Sequence, residues 1–84
     1  MPDDLQAAVR AHQVARDAVP QAQTEAKRLV AAARAEVERT RQALAKAIVR
    51  AARSGMRQKD IVAVTGYNRE RVRQILRAGG IEPE

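Results

Sequence analysis

The sequence of 84 residues contains no cysteine, no phenylalanine and no tryptophan, and Tyr67 is its only aromatic residue. Without cysteine the chain can form neither a disulfide nor a zinc site built on thiolates. With so few large side chains, little volume is available for a hydrophobic core. We therefore expect one small domain, or one domain plus an extension, that gains buried area by forming oligomers.

Long apolar runs are also missing from the sequence. No stretch approaches the roughly 20 residues that a helix needs to cross a bilayer. The first residues include Asp3 and Asp4, where a secretory signal would carry basic side chains. We therefore expect a cytoplasmic protein that does not bind membranes.

Residues suited to catalysis are scarce. The chain has one histidine, His12, and one serine, Ser54, and it has no glycine-rich loop that could hold a phosphate group. Acid–base and nucleophilic sites cannot be assembled from this set. We therefore predict a protein that is not an enzyme and has no metal, cofactor or small-molecule substrate. His12 lies on the apolar side of a predicted helix, so packing is its expected role.

Positive charge is concentrated in the second half of the chain. Residues 1–40 hold six basic and six acidic side chains, whereas residues 41–84 hold ten basic and four acidic ones, so the net charge of +6 belongs to the latter. This asymmetry indicates a polyanionic partner for residues 41–84. Arginine outnumbers lysine by 13 to 3, which suits bidentate binding of phosphate or guanine and is equally typical of a GC-rich genome.

The first half of the chain has helical periodicity throughout. Asp3 and Gln6 form a predicted capping box, and Pro20 predicts either a kink or a tight corner that folds the first helix back as a hairpin. From residue 21 to residue 53 no residue interrupts the helical pattern. The expected architecture is therefore all-α, with an N-terminal helix, a long central helix and a three-helix C-terminal domain.

The predicted central helix carries apolar or small residues at alternating steps of four and three, which is a heptad pattern. The heptad seam comprises Ala26, Val30, Ala33, Val37, Thr40, Leu44, Ala47 and Ala51. Its partner is either the first helix of the same chain or a second subunit. We favour a homodimer with Val30, Ala33, Val37, Thr40 and Leu44 in the interface. Residues 1–45 are thus predicted to be a helical dimerisation arm, and residues 46–84 a DNA-binding domain.

The second half of the chain has the pattern of a helix-turn-helix. A short helix is predicted from Met56 to Val64, a turn at Thr65, Gly66 and Tyr67, and a last helix that is capped by Asn68 and ends at Gly79. Ile81 is expected to fold back on the core. The predicted core consists of Ile48, Ala52, Met56, Ile61, Val62, Val72, Ile75 and Leu76.

Residues 51–61, Gly66 and residues 72–76 together resemble the helix-turn-helix of resolvases and small transcription-factor domains. The octet from Asn68 to Ile75 (NRERVRQI) is similar to the recognition helix in region four of primary sigma factors. This resemblance implies that Arg69, Glu70 and Gln74 occupy base-reading positions. The first 45 residues resemble nothing in sigma factors, so a complete sigma factor is not implied.

The chemistry of the last helix leads to the same residues. Arginine can bind guanine, glutamine can bind adenine and glutamate can accept a hydrogen bond from cytosine in the major groove. The predicted base-reading residues are Arg69, Glu70, Arg73 and Gln74. The predicted contacts to the DNA backbone are Arg50, Arg53, Arg57, Lys59, Thr65, Tyr67, Asn68, Arg71 and Arg77.

Four of these backbone contacts have structural alternatives. Tyr67 can cover the core, Asn68 can be a helix cap, Arg71 can be a solvated or ion-paired residue, and Arg77 can be a cation at a helix C-terminus.

These features together predict a dimeric, sequence-specific regulator of transcription that binds double-stranded DNA at the nucleoid. One alternative is an architectural protein with weak sequence preference. Another is a helical adaptor that docks a protein partner to DNA. RNA binding is disfavoured because the chain has no aromatic stacking surface.

Overall fold

The computed structural model describes residues 2–82, which form three α-helices and no strand. Helix α1 spans Pro2–Arg53, α2 spans Gln58–Thr65 and α3 spans Arg69–Ala78. The all-α prediction is therefore confirmed, with one long helix followed by two short ones. Over the described residues, every helix is too short or too polar to cross a lipid bilayer.

Helix α1 continues through Pro20, so the predicted corner and hairpin are wrong. Pro20 has no N–H to donate to the carbonyl of Arg16, yet the α-helix is unbroken there. The alanine-rich segments on both sides have high helix propensity, and no nearby glycine allows the chain to reverse. The hydroxyl of Thr24 donates to the carbonyl of Pro20 at 3.0 Å. The first helix is therefore not a separate element that could cover the heptad seam.

The chain divides into two compact units, residues 1–36 and 37–84. In the first unit, Asp3 and Asp4 lie within the first turn of α1. Asp3 is therefore not the N-cap that the capping box required, although both carboxylates are still at the positive end of the helix dipole. His12 is exposed along with every other side chain from residue 3 to residue 36, so its predicted packing role does not occur within this chain.

The second unit, residues 37–84, contains the hydrophobic core. Ile48 from α1, Ile61 from α2, and Val72 and Leu76 from α3 are buried. The other four predicted core residues are partly buried against this cluster. They are Ala52, Met56, Val62 and Ile75, and three residues outside the predicted core, Val49, Tyr67 and Ile81, also pack there.

Three glycines with positive φ end the three helices. After α1, Gly55 has φ 101° and donates to the carbonyl of Ala52, while Met56 donates to Ala51. After α2, Gly66 has φ 74° and donates to the carbonyl of Val62 at 2.9 Å. Residues other than glycine rarely adopt this left-handed conformation, so the glycine positions fix where α1 and α2 end.

The end of α3 has the same hydrogen-bond pattern as the end of α1. Gly80, with φ 82°, donates to the carbonyl of Arg77, and Ile81 donates to that of Leu76 at 2.9 Å. This pattern turns Ile81 back onto the core, as predicted. The last two residues of the predicted tail, Pro83 and Glu84, lie outside the described residues.

Candidate nucleic-acid interface

Helix α3 presents a polar outer face because its apolar residues point into the core. Val72 is fully buried and Leu76 nearly so. Arg69, Glu70 and Gln74 are exposed. The side chain of Asn68 caps the helix by accepting from the backbone N–H of Arg71 at 2.7 Å. The structure therefore places three of the four predicted base-reading residues in solvent.

Arg73, the fourth predicted base-reading residue, is partly buried. Its Nε is buried and has no hydrogen-bond partner among the described residues. One terminal nitrogen, Nη1, lies 3.4 Å from Oε2 of Glu70, and the two side chains remain 43% and 62% exposed. An arginine at this position can therefore present only its terminal nitrogens outward, with Glu70 beside them.

The turn between α2 and α3 uses the two hydroxyl-bearing residues that were predicted to contact the DNA backbone. The Thr65 hydroxyl donates to the carbonyl of Ile61 at 2.7 Å and accepts from the N–H of Tyr67 at 3.2 Å. The Tyr67 ring packs against the core, which is the alternative to a DNA contact that the sequence left open. The guanidinium of Arg71 lies over this ring, 4.6 Å from its centre, instead of pairing with a carboxylate. The side chains of Thr65 and Tyr67 thus have structural roles within the chain.

The remaining predicted backbone contacts are exposed cations at or near helix ends. Arg57 precedes α2, Lys59 is in its first turn, and Arg77 is in the last turn of α3. Arg53, in the last turn of α1, donates from Nη2 to the carbonyl of Gly79 at 3.0 Å. This bond joins the C-terminal ends of α1 and α3.

A close contact between the same two helix ends holds α3 against α1. A Cβ added to Gly79 would lie 2.5 Å from Cγ2 of Val49, closer than real Cβ atoms approach another carbon. A side chain at residue 79 would therefore force the ends of α1 and α3 to shift, although its φ of −85° suits any residue.

Between α1 and α3 lies an open cleft of about 720 Å³. Five cations line it, and no acidic residue does. We call this cleft the basic groove, and its cations are Arg41, Lys46, Arg50, Arg53 and Arg71. Gln74 also lines it, so the groove and the outer face of α3 share a residue.

The sequence interpretation assigned no role to Arg41 and Lys46. Both precede the predicted helix-turn-helix, and their proximity to α3 depends on packing. A signal was nevertheless present, because the excess of basic residues begins at Arg41 and not at the predicted domain boundary.

Among the described residues, Arg41 is the one cation of the basic groove that has a carboxylate partner. Its Nε donates to Glu38 at 2.9 Å and its Nη2 donates to the other carboxylate oxygen at 2.5 Å. Hydrogen bonds from Arg41, and then from Gln42, hold the pKa of Glu38 below its ordinary value of 4.5. The same pair raises the pKa of Arg41. The pairing fixes the guanidinium and neutralises part of its charge.

Chemically, the candidate interface offers guanidinium, amide and carboxylate groups on α3, with further cations in the basic groove beside that helix. Among the described residues, no group of histidine, cysteine or acidic side chains could hold a metal ion. In comparisons with known proteins, no family model, no curated protein and no solved structure matches this chain.

Proposed function

We propose that the protein is a sequence-specific transcriptional regulator that binds double-stranded DNA at the nucleoid as a homodimer. In this proposal α2 and α3 form a helix-turn-helix, and α3 enters the major groove. The observation that carries the proposal is the division of α3 into a buried apolar face and an exposed polar face.

The dimensions of α3 suit this role. An α-helix with its side chains is about 10–12 Å across, and the major groove is about 12 Å wide. Residues near the N-terminus of a recognition helix contact base edges. In α3 these residues are Arg69 and Glu70, and Arg73 and Gln74 follow them one turn later. Arginine and glutamine recognise guanine and adenine, and glutamate accepts from cytosine.

Glu70 supports sequence-specific binding over indiscriminate binding to phosphates. A carboxylate on the exposed face of a DNA-binding helix repels the phosphate backbone, so it lowers affinity for DNA of any sequence. Its position 3.4 Å from Arg73 gives it a second role. The pair orients the terminal nitrogens of Arg73, and both side chains can then contact adjacent base pairs.

Dimerisation through α1 is supported by apolar side chains that nothing covers in the single chain. Val30 is 50% exposed, Val37 is 66% exposed and Leu44 is 37% exposed. They are seven residues apart, which is the repeat of a coiled-coil interface. The hydroxyl of Thr40, at another seam position, donates to the carbonyl of Val37 at 3.0 Å. That bond satisfies the hydroxyl without water, so the residue is compatible with an interface.

Selection from a random-sequence duplex library tests the proposal. The wild-type protein should enrich a motif with two half-sites separated by one helical turn of about 34 Å, or by a multiple of it. Glu70→Ala and Gln74→Ala should relax the preference at particular base positions, each by about 1–3 kcal/mol.

A matched pair of variants controls for a general loss of affinity. Arg57→Ala and Lys59→Ala remove predicted phosphate contacts, so they should weaken binding to all duplexes alike and leave the enriched motif unchanged. Failure to enrich any motif would overturn the proposal. Equal binding to every duplex, with steep salt dependence, would instead indicate an architectural DNA-binding protein.

A further inference from the structure

The cations of the basic groove differ in what holds them. Arg41 is bound by Glu38, Arg53 by the carbonyl of Gly79, and Arg71 by the ring of Tyr67. Lys46 and Arg50 are exposed, and neither makes an ion pair or a side-chain hydrogen bond with any residue from 2 to 82. The groove thus combines three oriented arginines with two cations that have no such partner among residues 2–82.

The two unpartnered cations are placed to act together. Lys46 and Arg50 are four residues apart on α1, so their Cβ atoms are about 5–6 Å apart on one side of the helix. Elsewhere on α1 the exposed arginines Arg28 and Arg41 pair with a glutamate three residues earlier. No acidic residue stands three or four positions before Lys46 or Arg50. Their positive charge is therefore available to an external anion.

The shape of the groove indicates a polymer and not a single anion. The cleft is open to solvent and holds about 720 Å³, far more than one phosphate group occupies. Besides the cations, its lining includes the apolar side chains of Val49 and Ile75. A lining that combines cations with apolar side chains matches a chain in which sugars alternate with phosphates.

The position of the groove beside α3 identifies the polymer. Arg71 and Gln74 belong both to α3 and to the lining of the groove, so a molecule bound there continues directly onto the outer face of α3. A DNA strand carries one phosphate per 3.4 Å of helix axis and borders the major groove on each side.

We propose that the basic groove binds the sugar–phosphate backbone of the DNA strand beside the major groove that α3 enters, with Lys46 and Arg50 as phosphate contacts. This inference rests on the proposed function. It adds Lys46 to the predicted backbone contacts and places Arg50, which was already predicted as one, beside it in the same groove. Phosphate contacts position a protein on DNA without reading its sequence. Lys46 and Arg50 thereby set the depth and register of α3, and Glu70 and Gln74 select the bases.

The test measures affinity against salt concentration for two duplexes of equal length, the motif selected by the wild type and a scrambled sequence. The variant is Lys46→Ala/Arg50→Ala. The control is Arg10→Ala/Arg28→Ala, which removes the same two charges from exposed positions on α1 outside the groove. All four side chains are exposed, so both variants should fold, and circular dichroism checks this.

For the groove variant we expect the slope of log K against log salt to become shallower by about 1.8 for each bound subunit, since each phosphate contact contributes about 0.9. At 0.1 M salt this slope corresponds to roughly 60-fold weaker binding per subunit. The ratio of affinities for the selected and scrambled duplexes should not change. The conservative variant Lys46→Arg/Arg50→Lys should restore both slope and affinity.

The outcomes separate this inference from the proposed function. If the groove variant and the control give equal slopes, the groove inference is overturned even when the wild type selects a motif. If the wild type binds both duplexes equally, the proposal of sequence-specific regulation is overturned. In that case, a shallower slope for the groove variant but not for the control still supports the groove inference. If the wild type binds neither duplex, both proposals fail.

Discussion

Gly79→Ala adds a single methyl group where the structure leaves no space. The new Cβ would lie 2.5 Å from Cγ2 and 3.0 Å from Cγ1 of Val49. Both atoms are methyl carbons of a β-branched side chain, which has few alternative rotamers in a helix. The contact can therefore be relieved only if the C-terminal end of α3 moves away from α1.

Two opposing effects set how much Gly79→Ala changes the free energy of unfolding. Replacing glycine by alanine restricts the unfolded chain and stabilises by about 0.4–1 kcal/mol where the backbone conformation suits alanine. The φ of −85° at Gly79 does suit it. Overpacking costs about 1–3 kcal/mol. We therefore expect a net loss of about 1–2 kcal/mol in the free energy of unfolding, and each kcal/mol lowers the Tm by about 4–8 °C in a domain of this size.

Urea denaturation followed by the fluorescence of Tyr67 measures this loss, because Tyr67 is the only aromatic residue and packs against the core of the second unit. Val49→Ala removes both obstructing methyl groups. In that background, Gly79→Ala should become neutral or stabilising, with a coupling free energy of about 1–2 kcal/mol.

Gly80→Ala is the matched control. Gly80 has φ 82° and no atom within 4 Å of an added Cβ, so its cost of about 1–2 kcal/mol arises from the backbone alone. Val49→Ala should not rescue it. The steric explanation would be refuted if Gly79→Ala alone left the urea midpoint unchanged, or if Val49→Ala rescued both glycine variants equally.

Three further predictions concern local features of the second unit. Gly66→Ala should destabilise by about 1–2 kcal/mol in the same urea assay, because residue 66 has φ 74°; an unchanged midpoint contradicts the left-handed turn. Asn68→Ala should cost about 0.5–2 kcal/mol by removing the cap of α3, whereas Asn68→Ser should retain most of the stability. NMR titration should give Glu38 a pKa below 4.5 that rises towards 4.5 in Arg41→Ala. Since folding lowers the pKa of Glu38, its contact with Arg41 stabilises the protein fully above pH 4.5, and this stabilisation is lost as the pH falls through the folded pKa. A Glu38 pKa that is unaffected by Arg41→Ala would contradict this prediction.

The sequence predicts the second unit well because its signals are local. Glycine stops helices at Gly55 and Gly66 through backbone conformation, and Asn68 caps α3 through a hydrogen bond to a residue three positions away. These effects act within one turn of the chain, so the sequence reveals them without knowledge of the packing. Ile61, Val72 and Leu76 are also predictable from the sequence, because their helical spacing places them on inward faces.

The wrong prediction of a corner at Pro20 has a different origin. A proline inside a helix costs about 3 kcal/mol, and the sequence alone does not show whether the residues around it outweigh that cost. Alanines on both sides favour the helix, and the lack of a nearby glycine disfavours a corner. The conformation follows from the sum over many residues and not from the proline itself.

The basic groove was not predictable from spacing because it depends on a distant contact. Val49 and Gly79 are thirty positions apart in sequence, and their close approach brings Lys46 and Arg50 beside α3. The partial burial of Arg73 was likewise not predicted from spacing. The predicted roles of these residues in binding DNA stay predictions until the binding experiments are made.

The uninterrupted course of α1 from Val37 to Ile48 has a consequence for how the protein can vary. Ile48 is fixed in the core, and Leu44 belongs to the proposed subunit interface, with no loop between them. One residue inserted here would turn the interface side chains by about 100° around the helix axis, whereas seven would return them to within about 20°. Length and orientation are thus linked along this helix, and an insertion that preserves the proposed interface has to complete nearly whole helical turns, as about seven or about eleven residues do.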